Sequence, residues 1–300
     1  LHILRHRGVP VYSVSSIFRP GQVFFKWYGR NYAKVLHCIT HFFVQNEVSL
    51  QLLKGIGIDE ATVVGDTRFD RVLQIKEQSK ELPIVEAFKG INGKGDACKE
   101  DLSEDACKDD LSENGCKGCK VFVAGSSWQP DEDIFIRFFN DHPDWKLIIA
   151  PHVIGEDHLA YILDKLQMKA GRYTQATEQS AAEARCLIID CFGLLSTIYR
   201  YGEIAYVGGG FGVGIHNVPE AAVWGVPVLF GPNNKRFQEA QDLLACKGSF
   251  EVTDYDSFNT IISRHISADK FRHQCGAASA TYVKSRSGAT DIIMKSVVGK

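Results

Sequence analysis

Between Tyr206 and Pro232 the chain reads YVGGGFGVGIHNVPEAAVWGVPVLFGP. An apolar, strand-like run opens into a glycine-saturated turn, and Asn-Val-Pro-Glu then reads as a helix start. Glycine lets a backbone come close to a ligand. A helix start offers unpaired N–H groups and the positive end of its dipole. Asn217 is placed as N-cap and Pro219 suits the first turn. The chemistry expected of Gly209, Gly210, His216, Asn217, Val218, Pro219 and Glu220 is therefore anion binding, phosphate above all. Glu220, one turn into the helix, could accept hydrogen bonds from ribose hydroxyls. The plainer alternatives are a βα turn in which glycine serves packing, and a first-turn Glu that favours the dipole. The pattern is not the dinucleotide fingerprint, because Ile215 stands where a third glycine should follow Gly210 and Gly212. Nor is it a P-loop, since no Gly-Lys-Ser/Thr follows.

Three other turns share the pattern of a strand ending in polar or small residues. VFVAGSSW places Ser126 and Ser127 after one strand, LIIAPHVIGEDHL places Pro151 and His152 after the next, and LIIDCFGLLSTIY places Phe192, Gly193 and Leu194 after another. In an open parallel sheet ligands bind outside the carboxyl ends of the strands. The four turns would open on that edge if their strands are parallel neighbours. Taken alone, His152 reads equally as a solvated turn residue. The chain has no Gly-x-Ser-x-Gly elbow, no His-Glu-x-x-His, no metal quartet and no evident acid–base pair. It reads as a binding half without its chemical half, and neither metal nor cofactor is expected.

The elements that must hold these turns alternate from end to end. Strands are expected at Val11–Ser15, Phe42–Gln45, Thr62–Gly65, Val121–Ala124, Lys146–Ala150, Cys186–Asp190, Ile204–Gly208, Val226–Phe230 and Phe250–Thr253. Amphipathic stretches such as FFKWYGRNYAKVLHCI, EVSLQLLKGIG, DEDIFIRFFNDH, DHLAYILDKLQ, LLSTIYRYG and RFQEAQDLLAC separate them. Such alternation means βαβ units and parallel sheets covered by helices, the α/β class.

At 300 residues the chain has room for two domains. A net charge of −2 gives no global sign of a nucleic-acid or strongly acidic partner. No run of apolar residues is long enough for a transmembrane helix, and no signal peptide is evident. The chain opens on Leu1 in what reads as the second half of a βα unit, so an N-terminal portion is expected to precede it. The nine cysteines, several within apolar runs, read as reduced thiols of a cytosolic protein. One segment breaks the rhythm: Asp96–Lys120 repeats DACKEDLSE as DACKDDLSE. Its charge and its glycine-rich flank predict a disordered insert. Cys98, Cys107, Cys116 and Cys119 raise a zinc alternative, but they contain one Cys-x-x-Cys pair with no histidine nearby. The insert is expected to mark a seam, giving domains 1–90 and 120–300 joined by a linker over 91–119.

GGGFGVGIHNVPEAAVWGVPVLFGPNNKRFQEA resembles the donor-binding signature of the bacterial 3-deoxy-D-manno-octulosonic acid (Kdo) transferases, which carry a GGHN-x-x-E-like motif and then a G-V/I-P-V-x-x-GP strand. FVQNEVSLQLLKGIGIDEATVVGDTRFDRV resembles the end of that family's N-terminal domain, with Gly65, Asp66, Arg68, Phe69 and Asp70 on its closing motif. AGSSW, APHVI and DCFGLL fall in family order, so the likeness covers nearly all of the chain outside the repeat.

The resemblance implies a GT-B fold, two Rossmann-like parallel-sheet domains facing a cleft, the N-terminal one incomplete here. It implies transfer of Kdo from CMP-Kdo to a lipid A precursor (lipid IVA) in lipopolysaccharide core biosynthesis. The reaction would invert the sugar centre without a metal, at the cytoplasmic face of the bacterial inner membrane. By motif, Ser126, Ser127, Pro151 and His152 line the CMP site, although many members carry Arg where this chain has His152. Of the family's Met-Gly-Glu-like turn only the glycine, Gly193, is retained between Phe192 and Leu194. Asn217 to Glu220 match the nucleotide-binding Asn-x-x-Glu. The family's catalytic base, in a Gly-Glu early in the N-terminal domain, and its membrane anchor would lie upstream of Leu1.

FRPGQVFFKWYGRNYAK could meet an anionic acceptor or a bilayer, with Arg19, Lys26, Arg30 and Lys34 toward phosphates and Phe24, Phe25, Trp27 and Tyr28 toward apolar material. A helix with a solvated basic face is the alternative. Rival functions are a GT-B transferase using a UDP-sugar and a non-catalytic nucleotide-binding module. A dinucleotide oxidoreductase is disfavoured by the failed fingerprint.

Overall fold

In the computed structural model, which describes residues 1–90 and 119–299, every strand pair is parallel. The chain divides into two compact units, Leu1–Gln74 with Val283–Lys300, and Ile75–Tyr282. The expected seam near residue 90 is therefore not where the compact units divide. Their division falls within two helices, Thr67–Gln78 and Asp269–Ser285. The repeat lies outside the described residues apart from Cys119 and Lys120. The N–H of Cys119 donates to the Lys89 carbonyl at 2.8 Å.

In the first unit β1 (Tyr12–Ser16), β2 (His41–Val44) and β3 (Ala61–Val63) form a three-stranded sheet in that order. The helix Glu47–Lys54 connects β2 to β3, and its N-cap Asn46 accepts the Ser49 N–H at 2.9 Å. Phe18, Leu36, Phe42, Val44, Leu53 and Ile58 pack into its core. The C-terminal helix Ala289–Val298 returns to this unit, burying Ala289 and Ile293 against Phe43 and Val64. Asp70, the last residue of the GDTRFD motif, accepts the N–H groups of Gly288 (2.5 Å) and Thr290 (2.7 Å). Burial pushes that carboxyl up, but these bonds and the Thr290 hydroxyl outweigh it and hold it below the usual range.

The long helix expected over FFKWYGRNYAKVLHCI is instead a series of single turns, Val23–Phe25, Trp27–Gly29, Arg30–Ala33 and Leu36–Cys38. Lys26 is extended between the first two, and at Gly29 a Cβ would stand 1.6 Å from the Val23 carbonyl oxygen. Phe24 and Phe25 pack on the core rather than facing outward. Trp27 (84 % exposed), Tyr28 and Tyr32 are the aromatics left in solvent.

The second unit holds β4 (Lys120–Ser127), β5 (Trp145–Pro151), β6 (Ala170–Arg172), β7 (Cys186–Ile188), β8 (Ile204–Val207), β9 (Val228–Phe230) and β10 (Ser249–Glu251). All nine expected strands are present within a few residues of their expected bounds. β6 was not expected, because Ala-Gly-Arg carries no apolar run to signal an edge strand. The spatial order is β10-β9-β8-β4-β5-β7-β6. Around β4 the core packs aromatic rings, with Phe122 tilted against Phe139 at 4.8 Å and edge-on to Phe258 at 5.9 Å. The winding reverses at β4: the chain proceeds to β5 on one side and returns as β8 on the other. That reversal is a topological switch point, where an open parallel sheet forms a crevice beyond its carboxyl ends.

Candidate functional site

The ends of β4 and β8 approach so closely at the switch point that a Cβ on Gly208 would lie 2.3 Å from the Ser126 carbonyl oxygen. Only glycine fits there. Next to it Gly209 has a φ of +90°, the left-handed region that favours glycine, and the N–H groups of Gly212 and Gly214 fold back onto its carbonyl at 3.0 and 3.2 Å. Asp131, buried in the first turn of the helix Gln129–Asn140, holds this turn to β4. Its carboxylate accepts the Tyr206 hydroxyl at 2.8 Å and the N–H groups of Gly209 and Trp128, each at 3.0 Å. Burial pushes the Asp131 carboxyl up, and the three bonds work against that.

Beyond the turn the helix is short, Pro219–Ala222. Val218 (φ −58°, ψ −39°) already has helical backbone angles, so it rather than Asn217 precedes the first turn, and no side chain caps it. Asn217 instead donates from Nδ2 to Glu220 Oε1 at 2.7 Å, which leaves its Oδ1 buried and without a partner. With a single turn behind it, the expected anion site at this helix start has few aligned peptides, and the residues of this stretch that meet a cavity form the candidate site.

That site is a cavity of about 220 Å³ lined by Ser126, His152, Leu195, Tyr199, Val207, His216, Asn217 and Glu220. Ser126 is held in the left-handed region at φ 51°. Burial and the nearby Glu220 carboxylate push the Tyr199 phenol well above its ordinary range. At the mouth three rings are stacked: Trp128 on His152 at 4.8 Å and 29°, and His152 on His216 at 4.3 Å and 25°. The Trp128 indole N–H donates to His216 Nε2 at 3.3 Å. Burial and the adjacent His152 lower the pKa of His216.

The cavity thus gathers Ser126, His152, His216, Asn217 and Glu220 from separate stretches of sequence. Other expected contacts do not line it. Ser127 is buried and donates to Glu132 Oε1 at 2.8 Å, while Glu132 Oε2 meets His158 Nε2 at 2.8 Å. Pro151 ends β5 within the sheet, and Val218 and Pro219 are buried under the turn. Gly209 and Gly210 shape the turn and are themselves buried. Phe192 is 83 % exposed, and Gly193 and Leu194 only lead into the turn Leu195–Ile198, whose first residue reaches the cavity.

Comparison with known proteins agrees with the motif reading. No family model matches the chain. A 3-deoxy-D-manno-octulosonic acid transferase of Aquifex aeolicus is 31 % identical over 164 residues, 51 % of this chain and 45 % of that protein. One of Rickettsia prowazekii is 22 % identical over 251 residues, 80 % of this chain and 46 % of that protein. This chain is similar to Kdo transferases over part of their length. It spans less than half the length of either of them. A UDP-GlcNAc 2-epimerase from Neisseria meningitidis superposes over 99 % of this chain and 71 % of its own with a TM-score of 0.61, at 16 % identity. That likeness carries the fold, the two parallel-sheet α/β organisation expected of a GT-B chain.

Relative to those family motifs, the residues missed in the sequence are Asp131, Trp128, Leu195 and Tyr199. Trp128 and Asp131 lie in the AGSSWQPDED stretch, but nothing local reveals their partners. Gly209 is 78 residues from Asp131 and His216 is 88 from Trp128. Tyr199 reads locally as one more apolar position of LLSTIY.

Proposed function

We propose that this chain binds CMP-Kdo and belongs to an enzyme that transfers Kdo to a lipid A precursor. The observation that supports it best is the Asn217–Glu220 pair at the sheet's switch point. Asn217 and Glu220 both line a small cavity there, on a stretch that matches the family's Asn-x-x-Glu. In this reading Glu220 accepts from ribose hydroxyls, and the Asn217 side chain, which donates to Glu220 Oε1, holds that carboxylate in place. The acceptor sugar hydroxyl attacks the anomeric carbon, and the bond from that carbon to the cytidylate oxygen breaks with its electron pair. A carboxylate outside this cavity removes the hydroxyl proton. A single displacement inverts the anomeric centre, and protein groups meet the charge of the leaving phosphate without a cofactor.

The deciding experiment is calorimetric titration of the chain with CMP, UDP and NAD. Selective CMP binding, lost by at least about tenfold in Glu220→Ala, is expected. A UDP preference would move the protein to a transferase of UDP-sugars.

The proposed acceptor is anionic and membrane-borne, and the first unit offers a face suited to it. Lys26, Trp27, Arg30 and Lys34 border a hollow of about 550 Å³, with Tyr28 and Tyr32 exposed nearby. Interfacial aromatics with lysine and arginine match the headgroup region of an anionic leaflet, here proposed as the cytoplasmic face of the inner membrane. No helix among the described residues is long and apolar enough to cross a membrane. Reversing the charge at Arg30 and Lys34 is expected to release the chain from phosphatidylglycerol vesicles in flotation. Unchanged flotation would remove the membrane from this proposal.

A further inference from the structure

Among the described residues, no lysine or arginine lines the cavity at the switch point. Its polar lining is Glu220, Asn217, the hydroxyl-bearing Ser126 and Tyr199, and two imidazoles. A lining with a carboxylate and no lysine or arginine suits an uncharged, hydroxylated part of a ligand better than a phosphate. Tyr199 is the member that calls for a partner. It is only 1 % exposed, and a buried phenol ordinarily hydrogen-bonds. Its hydroxyl has no such bond among the described residues, yet it is not closed off from solvent.

That hydroxyl lies at the carboxyl end of β4, where a Cβ on Gly125 would stand 2.0 Å from it. Glycine at 125 leaves the room that the phenol fills, and the next residue, Ser126, lines the cavity. The turn Tyr199–Tyr201 packs against both β4 and the helix Pro219–Ala222, which carries Glu220. Burial, and after it the nearby Glu220 carboxylate, pushes the phenol up, so Tyr199 stays protonated and able to donate. On Glu220, Oε1 is taken by Asn217 Nδ2 at 2.7 Å, and Oε2 has no protein donor among the described residues. Two lining residues on adjacent elements thus keep hydrogen-bonding capacity, one as donor and one as acceptor. A single ligand group that answers both must accept one bond and donate another. A phosphate diester or carboxylate only accepts, an ammonium only donates and a methylene does neither, whereas a hydroxyl does both.

We propose that Tyr199 and Glu220 together read one ribose hydroxyl of the nucleotide, Tyr199 donating to it and Glu220 accepting from it, so that the site selects ribonucleotides over their deoxy counterparts. This rests on the donor-site reading above and adds Tyr199 to it as a specificity-determining residue. A site built to bond a hydroxyl rejects the analogue that lacks it, because its own buried polar groups are then left unpaired.

The test is calorimetric titration of the 300-residue chain and of its Tyr199→Phe variant with CMP and its 2′-deoxy and 3′-deoxy analogues. The unaltered chain should bind CMP at least about tenfold more tightly than one of the two analogues. Tyr199→Phe should weaken CMP by about fivefold or more and leave that analogue unchanged, because the hydroxyl that Tyr199 bonds is already missing from it. A phenol that only supports the fold would weaken all three ligands alike. A second readout keeps the hydroxyl in place: with 3-fluorotyrosine at position 199, the fluorine resonance should shift further with CMP than with that analogue. Equal weakening of all three ligands, equal fluorine shifts, or an unaltered chain that binds all three alike would overturn the inference and leave the donor site standing. No binding of CMP to the folded chain would overturn both.

Discussion

Asp131 shows how one buried side chain can set a site it does not line. Its carboxylate takes three donors, from a tyrosine hydroxyl, a glycine amide and the amide of Trp128, and so ties the glycine turn and the ring stack to β4. An amide in its place keeps one accepting oxygen and presents N–H groups where another acceptor is needed. Asp131→Asn should therefore cost roughly 1–3 kcal/mol of stability and weaken CMP binding by at least about tenfold. Tyr206→Phe removes one donor of the three and should cost less in both. Thermal unfolding and calorimetry on the two variants separate the effects. If Asp131→Asn binds CMP like the unaltered chain, the turn does not depend on this carboxylate. The site's glycines, Asn217 and Glu220 were legible because they sit within one stretch whose spacing carries meaning. Asp131 was not, because an acidic residue after Gln-Pro reads as an ordinary first-turn Asp. Its function exists only once β8 is laid beside β4.

The strands were legible as elements because each is a buried apolar run between breakers. The helices past Thr253 carry a feature that no periodicity reveals. His265, on the helix Tyr255–Ser267, is fully buried with both ring nitrogens unpartnered, packed against Phe250 at 4.7 Å and Phe271 at 5.0 Å. Burial, helped by the charges of Arg272 and Arg264, lowers its pKa to about 4. In the unfolded chain the ring takes a proton near the ordinary pH of about 6.5. Between those values the unfolded state holds more protons than the folded one, so stability falls as the pH is lowered through the window. It stops falling from this source below about pH 4. The slope is at most about 1.4 kcal/mol per pH unit for one group. Urea unfolding at stepped pH should show this loss, and His265→Phe should flatten it. A variant with the same acid slope would assign the loss to the carboxylates instead. In the first unit, FFKWYGRNYAKVLHCI misled as a helix because its apolar spacing is helical, whereas the close approach of Gly29 to Val23 decides the backbone.

At the scale of the molecule, alternation of strand and helix was enough to give the α/β class and two sheets, since that pattern is written locally. The division of the chain was not. The last helix belongs to the first unit because Asp70 takes the amides of Gly288 and Thr290, some 218 and 220 residues away, and separation on that scale leaves no trace in composition. The two units also differ in how well their sheets are protected. The first has three strands, and its edge strand β1 leaves Tyr12 and Val14 exposed, whereas the second has seven strands with β4, β5, β7 and β8 buried almost throughout. Less buried apolar surface means a lower free energy of local opening. Each unit holds a buried reporter thiol, Cys38 in the first and Cys186 in the second, where burial also pushes the thiol up and makes it inert while folded. In guanidinium, pulsed alkylation read by mass spectrometry should label Cys38 at a lower concentration than Cys186, while exposed Cys246 is labelled throughout. Coincident labelling of Cys38 and Cys186 would mean that the two units open as one cooperative body, despite their unequal sheets.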